Sequence, residues 1–168
     1  MTPGSHRLSM TVLMSPEMAN FSGNVHGGAV LRLLDQVAYA CASRYSGRYV
    51  VTLSVDQVNF LQSIHVGELV TFLASVNYTG RSSLEVGIKV VAEGIRTQVM
   101  RHVNSCFFTM VAMDDDGRPT AVPPLAPATP DERRRWEGAL LRRELRREQA
   151  QRFEAIRVAA AAAAPSQP

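Results

Sequence analysis

The sequence has no run of about 18 apolar residues, the length a membrane-spanning helix needs, so no membrane partner is expected. Its start, Met1-Thr2-Pro3-Gly4-Ser5-His6-Arg7, lacks a basic segment leading into a long apolar one and does not read as a secretory signal. Cysteine is scarce, with two in 168 residues. Cys41 and Cys106 sit in apolar segments without metal-type spacing. No metal is expected, and both read as reduced core thiols of a cytoplasmic protein. An excess of one charge is also missing from most of the chain. The net charge is +3, and all of it lies between Asp131 and Arg157, where nine Arg face six acids. The remainder balances nine basic residues against nine acidic ones, which argues against nucleic acid as a partner.

What is present is enough apolar residue, 46% of the chain, for one sizeable core. Residues 7–14 alternate as a first strand, and a Pro-, Asn- and Gly-rich loop over 15–28 leads into a helix over 27–46 that Gly47 stops. Strands are predicted over 49–60, 68–78, 83–93 and 97–113, with turns at Gly80-Arg81 and Glu93-Gly94. In the third of these Leu84, Val86, Ile88 and Val90 share one face, and Glu85 and Lys89 the other. One strand, one long apolar helix and four strands in hairpin succession make an α+β chain with an antiparallel sheet. A linker over 122–128 closes a first domain, residues 1–128. The second, 129–168, is an Arg/Glu-rich helix with a low-complexity, disordered Ala-rich end. That helix starts with Thr129 as N-cap, Pro130 at the first position and Glu132 completing a capping box. Asp131–Arg135 reads as its one favourable acid-first pair four residues apart.

Chemistry concentrates in Gly23-Asn24-Val25-His26-Gly27-Gly28 and the helix behind it. That helix is apolar on nearly every side, so burial is expected, and a carboxylate within it, Asp35, is costly without a role or a partner. Glycines at a helix start leave backbone N–H groups bare where negative charge could be held. Together they suggest a catalytic carboxylate and an oxyanion site on one element.

The chain resembles the hotdog-fold acyl-CoA thioesterases, in particular the cytosolic acyl-CoA hydrolase branch. The matching residues are Gly23 through Gly28, Leu34-Asp35, Val55-Asp56 with Phe60, Cys106-Phe107-Phe108-Thr109, and the stretch from Asp116-Gly117-Arg118 through Val122-Pro123-Pro124-Leu125 to Thr129-Pro130-Asp131-Glu132. The resemblance covers roughly residues 7–150. It implies a sheet wrapped around one buried helix and hydrolysis of a fatty acyl-CoA to acid and CoA, with coenzyme A as part of the substrate and no separate cofactor. It also implies roles. Asp35 would be general base for water, or the nucleophile. Asn24 would orient the water, and the N–H of Gly27 or Gly28 would polarise the carbonyl. His26 would be structural or contact the substrate. Arg81, Ser82 and Ser83 form a turn that could hold CoA phosphates, with Arg96 and Arg101 as weaker candidates.

Asp35 lies eight residues beyond Gly27, so ~12 Å further along the helix, too far for both to meet one carbonyl. A two-fold dimer with antiparallel helices resolves this, and a homodimer assembled further to a hexamer is expected from the resemblance. Two other functions fit a chain of this kind: another hotdog enzyme acting on a different acyl thioester, and a non-catalytic CoA-binding or assembly domain.

Overall fold

The computed structural model describes residues 4–163. The ends, including the last five residues of the Ala-rich tail and the first three of the segment read as no secretory signal, lie outside the described residues. The chain divides after Ala126 into two compact units.

The first unit holds strands β1 (Arg7–Leu13), β2 (Tyr49–Val55), β3 (Glu68–Thr79), β4 (Ser83–Gly94) and β5 (Met100–Met113) and helix α1 (Gly27–Ser46). The strands form one sheet in the order β1-β3-β4-β5-β2, with every neighbouring pair antiparallel. Helix α1 packs against all five strands, the hotdog arrangement. Gly47 ends it at φ +63, a left-handed conformation that costs glycine least, and donates its N–H to Ser43 O at 2.8 Å.

The core lies between helix and sheet. Val30, Leu33, Leu34, Val37, Ala38, Cys41, Ala42 and Tyr45 are buried against Phe72, Val86, Ile88, Val90, Phe108 and Met110. These helix positions step by three and four, one stripe of an amphipathic helix. The helix is therefore not buried all round. Asp35 stands one residue, about 100°, beyond Leu34, and it is exposed in the protomer beside the exposed Leu31 and Tyr39. This corrects the expectation of a buried carboxylate: the apolar residues on the outer side made the segment look uniformly hydrophobic. Glu85, on the face opposite Leu84 and Val86, is buried at 2% exposure.

Strand β2 is an edge strand whose pairing with β5 slips between Thr52 and Ser54. The extra residue, Leu53, is 68% exposed, as are much of Tyr49 and Val55. The strand ends at Val55, short of residue 60, although the segment beyond it keeps isolated backbone bonds to β5, from Asp56 N to Phe107 O and from Leu61 N to Val103 O, both 2.9 Å. Strand β5 begins at Met100, because 95–99 form the hairpin loop before it.

The second unit is one long helix, α2 (Pro130–Ala163). Its capping box forms as read: Glu132 N donates to Thr129 Oγ1 at 3.2 Å, and Thr129 N donates to Glu132 Oε2 at 3.1 Å. Asp131–Arg135 pairs at 2.6 Å, and Glu148–Arg152 makes a second acid-first pair that the sequence reading passed over. Helix α2 continues to Ala163 through the start of the Ala-rich stretch expected to be disordered. No helix among the described residues is long and apolar enough to cross a membrane.

Candidate active site

The predicted site residues fall into two groups within one protomer. The first surrounds Asp35. Thr52 Oγ1 donates to Asp35 Oδ1 at 2.6 Å. The slip in β2 next to Thr52 re-aims the edge strand there. Asp35, Gln36, Tyr39, Tyr49, Val50, Val51 and Thr52 line an open groove of about 430 Å³ between α1 and β2. The rings of Tyr39 and Tyr49, both lining the groove, meet edge-on with centroids 6.1 Å apart. A carboxylate with one oxygen hydrogen-bonded, set in a groove walled by tyrosines and valines, has a free oxygen to accept a proton from water. A second depression, about 440 Å³, runs between successive turns of α2 alone and has no facing wall.

The second group lies on the loop before α1. Asn20 Oδ1 accepts from Ser22 N at 2.9 Å and from Asn24 N at 3.1 Å. Asn20 N donates to Asn24 O at 2.6 Å. Gly23, at φ +78, makes the tight turn between the two asparagines. Asn24 Oδ1 bonds His65 Nδ1 at 2.8 Å. Phe60 closes over the helix start: a methyl group on Gly27 would lie 3.7 Å from its ring.

At the helix start the two glycines differ. His26 is the N-cap, and its Nδ1 accepts the N–H of Gly28 at 2.9 Å. Nδ1 therefore carries no proton, and the ring's proton sits on Nε2. Gly28's N–H is thus already used, which departs from the expectation that it is bare. Gly27's N–H has no hydrogen-bond partner among the described residues and is the donor that remains at this helix end. A side chain on Gly28 would meet His26 Nδ1 at 3.0 Å and crowd the cap.

Neither Asn24 nor Gly27 lines the groove at Asp35, so one protomer does not bring the two groups together. Arg81 is exposed on the β3–β4 turn, where Gly80 N donates to Ser83 O at 2.7 Å. Ser83 pairs with Val111, and Val111 with Val51, so this turn sits two strand spacings, about 10 Å, from the strand that carries Thr52. Arg101 is not available for phosphate. Its Nη2 clasps both oxygens of Glu68, at 2.6 and 2.8 Å.

Sequence reasoning did not single out Asn20, Thr52 or His65. A threonine in a strand and a histidine in a loop carry no local signal; their meaning comes from partners 17 and 41 residues away. The cysteines are as expected in kind. Burial pushes the Cys41 thiol up to about 11, and burial with nearby Asp56 pushes Cys106 up to about 12. The native protein is expected to show no fast-reacting thiol toward a disulfide reagent at neutral pH, and two after unfolding in denaturant. A native count above zero would show that one thiol is open to solvent.

Comparison with known proteins places the chain in a family. The Thioesterase superfamily profile matches residues 22–99. The chain is 54% identical over 140 residues to Protein VdlD of Helicobacter pylori, spanning 83% of this chain and 80% of that one. It is 35% identical over 131 residues to the cytosolic acyl coenzyme A thioester hydrolase of Rattus norvegicus, spanning 77% of this chain and 34% of that longer protein. Among solved structures, an apo hexameric acyl-CoA thioesterase superposes with TM-score 0.83 at 36% identity, covering 86% of this chain and 93% of that one. The acyl-CoA hydrolase of Staphylococcus aureus, in complex with butyryl coenzyme A, coenzyme A and coenzyme A disulfide, gives 0.81 at 28%, covering 95% and 96%. It has also been solved as single alanine variants of an aspartate, an asparagine and a threonine. The chain belongs to the thioesterase superfamily, among its hotdog-fold acyl-CoA thioesterases.

Proposed function

We propose that this protein hydrolyses fatty acyl-CoA in the cytoplasm, at a site shared between two copies of the chain. The observation that carries the proposal is the Asp35 carboxylate, held by Thr52 in an outward groove, with the amide-donor loop elsewhere on the same protomer. Asp35 takes a proton from water, and the resulting hydroxide attacks the thioester carbonyl. The N–H of Gly27 and a side-chain amide from the loop, both from the other copy, hold the oxygen as it gains charge. The carbon–sulfur bond then breaks, and the CoA thiolate leaves and takes up a proton.

Spacing bears on which amide acts. In the Staphylococcus aureus hydrolase the asparagine, aspartate and threonine replaced by alanine stand at positions 28, 43 and 60. Their separations, 15 and 17 residues, are those of Asn20 from Asp35 and of Asp35 from Thr52. Asn20 also fits chemically. Its Oδ1 is occupied by two backbone N–H groups, so its NH2 is the edge left for a carbonyl oxygen. Asn24, the asparagine expected from the motif, then supports Asn20 through the paired loop.

Leu31, Tyr39, Tyr49, Leu53 and Val55 form an apolar strip around Asp35 on the edge strand and outer helix face. A second copy packed there would cover the strip and deliver its own loop to Asp35. The hexameric assembly of a similar thioesterase fits a dimer assembled further. The test is release of CoA thiol from acyl-CoAs of graded chain length. Turnover supports the reading. Binding of CoA without release from any acyl-CoA would overturn it in favour of a non-catalytic domain.

Arg81 is proposed to hold CoA phosphate, with Ser82 and Ser83 beside it. Arg81→Ala is expected to raise KM for acyl-CoA about tenfold or more, as lost phosphate contacts do, with kcat for a short pantetheine thioester unchanged. Equal losses with both substrates would show Arg81 to be structural.

A further inference from the structure

His65 does more than close a loop. It sits next to Asn24 in an isolated antiparallel bridge, and Val25 N donates to Ile64 O at 2.8 Å, so the two segments are joined through backbone as well as side chain. The side-chain bond has a direction. An amide oxygen only accepts, so with His65 Nδ1 at 2.8 Å from Asn24 Oδ1, Nδ1 is the donor and carries the proton. This is the opposite of His26, whose Nδ1 accepts.

The other side of His65 is fixed to the sheet. Its backbone N–H donates to Glu68 Oε2 at 2.9 Å. Glu68 lies at the start of β3 and is clasped by Arg101 of β5, with 13% of the Glu68 side chain exposed and 25% of the arginine's. Arg101 Nη1 also donates to Ser63 O at 3.0 Å, two residues before His65. From Asn24 the connection continues to Asn20 through Asn24 N to Asn20 Oδ1 and Asn20 N to Asn24 O. A continuous polar path thus runs from two strands, through His65 and Asn24, to the side chain of Asn20.

We propose that His65 is a positioning residue for thioester hydrolysis: by donating Nδ1–H to Asn24 it holds the loop so that the Asn20 amide presents NH2, not oxygen, to the substrate carbonyl. The proposal rests on the reading of Asn20 and Asp35 given above. Without the donor, the Asn24 amide is free to turn over and the turn around Asn20 loses its anchor to the sheet. Small misplacement of a group that acts on the carbonyl is felt in turnover rather than in CoA affinity.

The test compares His65→Leu and His65→Asn in the full chain. Asparagine places an amide N–H close to the position of Nδ1; leucine fills space without a donor. His65→Leu is expected to lower kcat about 10- to 100-fold with KM for acyl-CoA unchanged. His65→Asn should recover most of the loss. Wild-type kcat in His65→Leu, or an equal loss in His65→Asn, would overturn the proposal, as would a loss confined to KM. Nitrogen-15 NMR of the wild-type imidazoles gives a readout independent of activity and of whether a variant folds. Protonated Nδ1 on His65 is expected, and a bare Nδ1 overturns the proposal. Asp35→Asn measured in parallel separates the two levels. If it keeps full activity, the reading of the site itself fails. If it is inactive while His65→Leu turns over normally, only the role of His65 fails.

Discussion

Asp35→Asn is expected to lower kcat at least about 100-fold, the low end of what a positioned general base contributes, and to leave the fold intact. The asparagine keeps an oxygen for Thr52 Oγ1 to donate to, so the local geometry persists and only the ability to take a proton is removed. Asp35 is exposed in the protomer and contributes no core packing, so thermal unfolding should shift little. Asp35→Ala removes the Thr52 bond as well, at a cost of about 1 kcal/mol for an ordinary hydrogen bond, and should be equally inactive. Thr52→Val, which leaves the carboxylate present but unheld, should fall between these variants and the wild type. The measurement is initial rate of thiol release under saturating acyl-CoA, with unfolding followed by circular dichroism. A folded Asp35→Asn that turns over near the wild-type rate would sink the mechanism.

How much of this was legible beforehand depends on the range over which each feature is encoded. Helix α1 could be bounded to the residue because its stripe from Val30 to Tyr45 and its stop at Gly47 are local signals. The capping box of α2 is equally local. Strand ends were less legible. Residues 56–60 keep strand-like composition where regular pairing with β5 has ended and isolated bonds to it continue, and 97–99 lead into a strand while belonging to the turn before it. Exposure was misjudged where it depends on helical angle, as with Asp35, which stands just outside the buried stripe. The motif residues were found, but their bonds were not. Gly28's N–H is taken by a ring two residues earlier, and Asn24's side chain by a histidine that only the fold brings near. Arg101 stood as a weaker phosphate candidate because its partner, Glu68, is 33 residues away in sequence and next to it in space.

Mixing two inactive variants should restore activity. The argument starts from the helix. Gly27 and Asp35 are eight residues apart on α1, a rise of ~12 Å, while an oxyanion donor and a base must both lie within about 3 Å of one reacting group. In the protomer the groove at Asp35 is lined by α1 and β2 alone, with no residue of the loop over 20–28. If two copies pair with their α1 helices antiparallel, the start of one helix faces the middle of the other, and each site takes Asp35 and Thr52 from one chain and Asn20 and Gly27 from its partner. Asn20→Ala and Asp35→Ala are each inactive alone on this arrangement. When the two are exchanged together, one site of a mixed dimer collects both lesions and the other collects none. Random pairing in equal amounts makes half of the dimers mixed, each with one intact site of two, so activity should return to about a quarter of wild type. Exchange is verified by native mass spectrometry on chains of different mass. Mixed dimers that form and remain inactive would mean that each site is built within a single chain, and the geometric argument from α1 would fail.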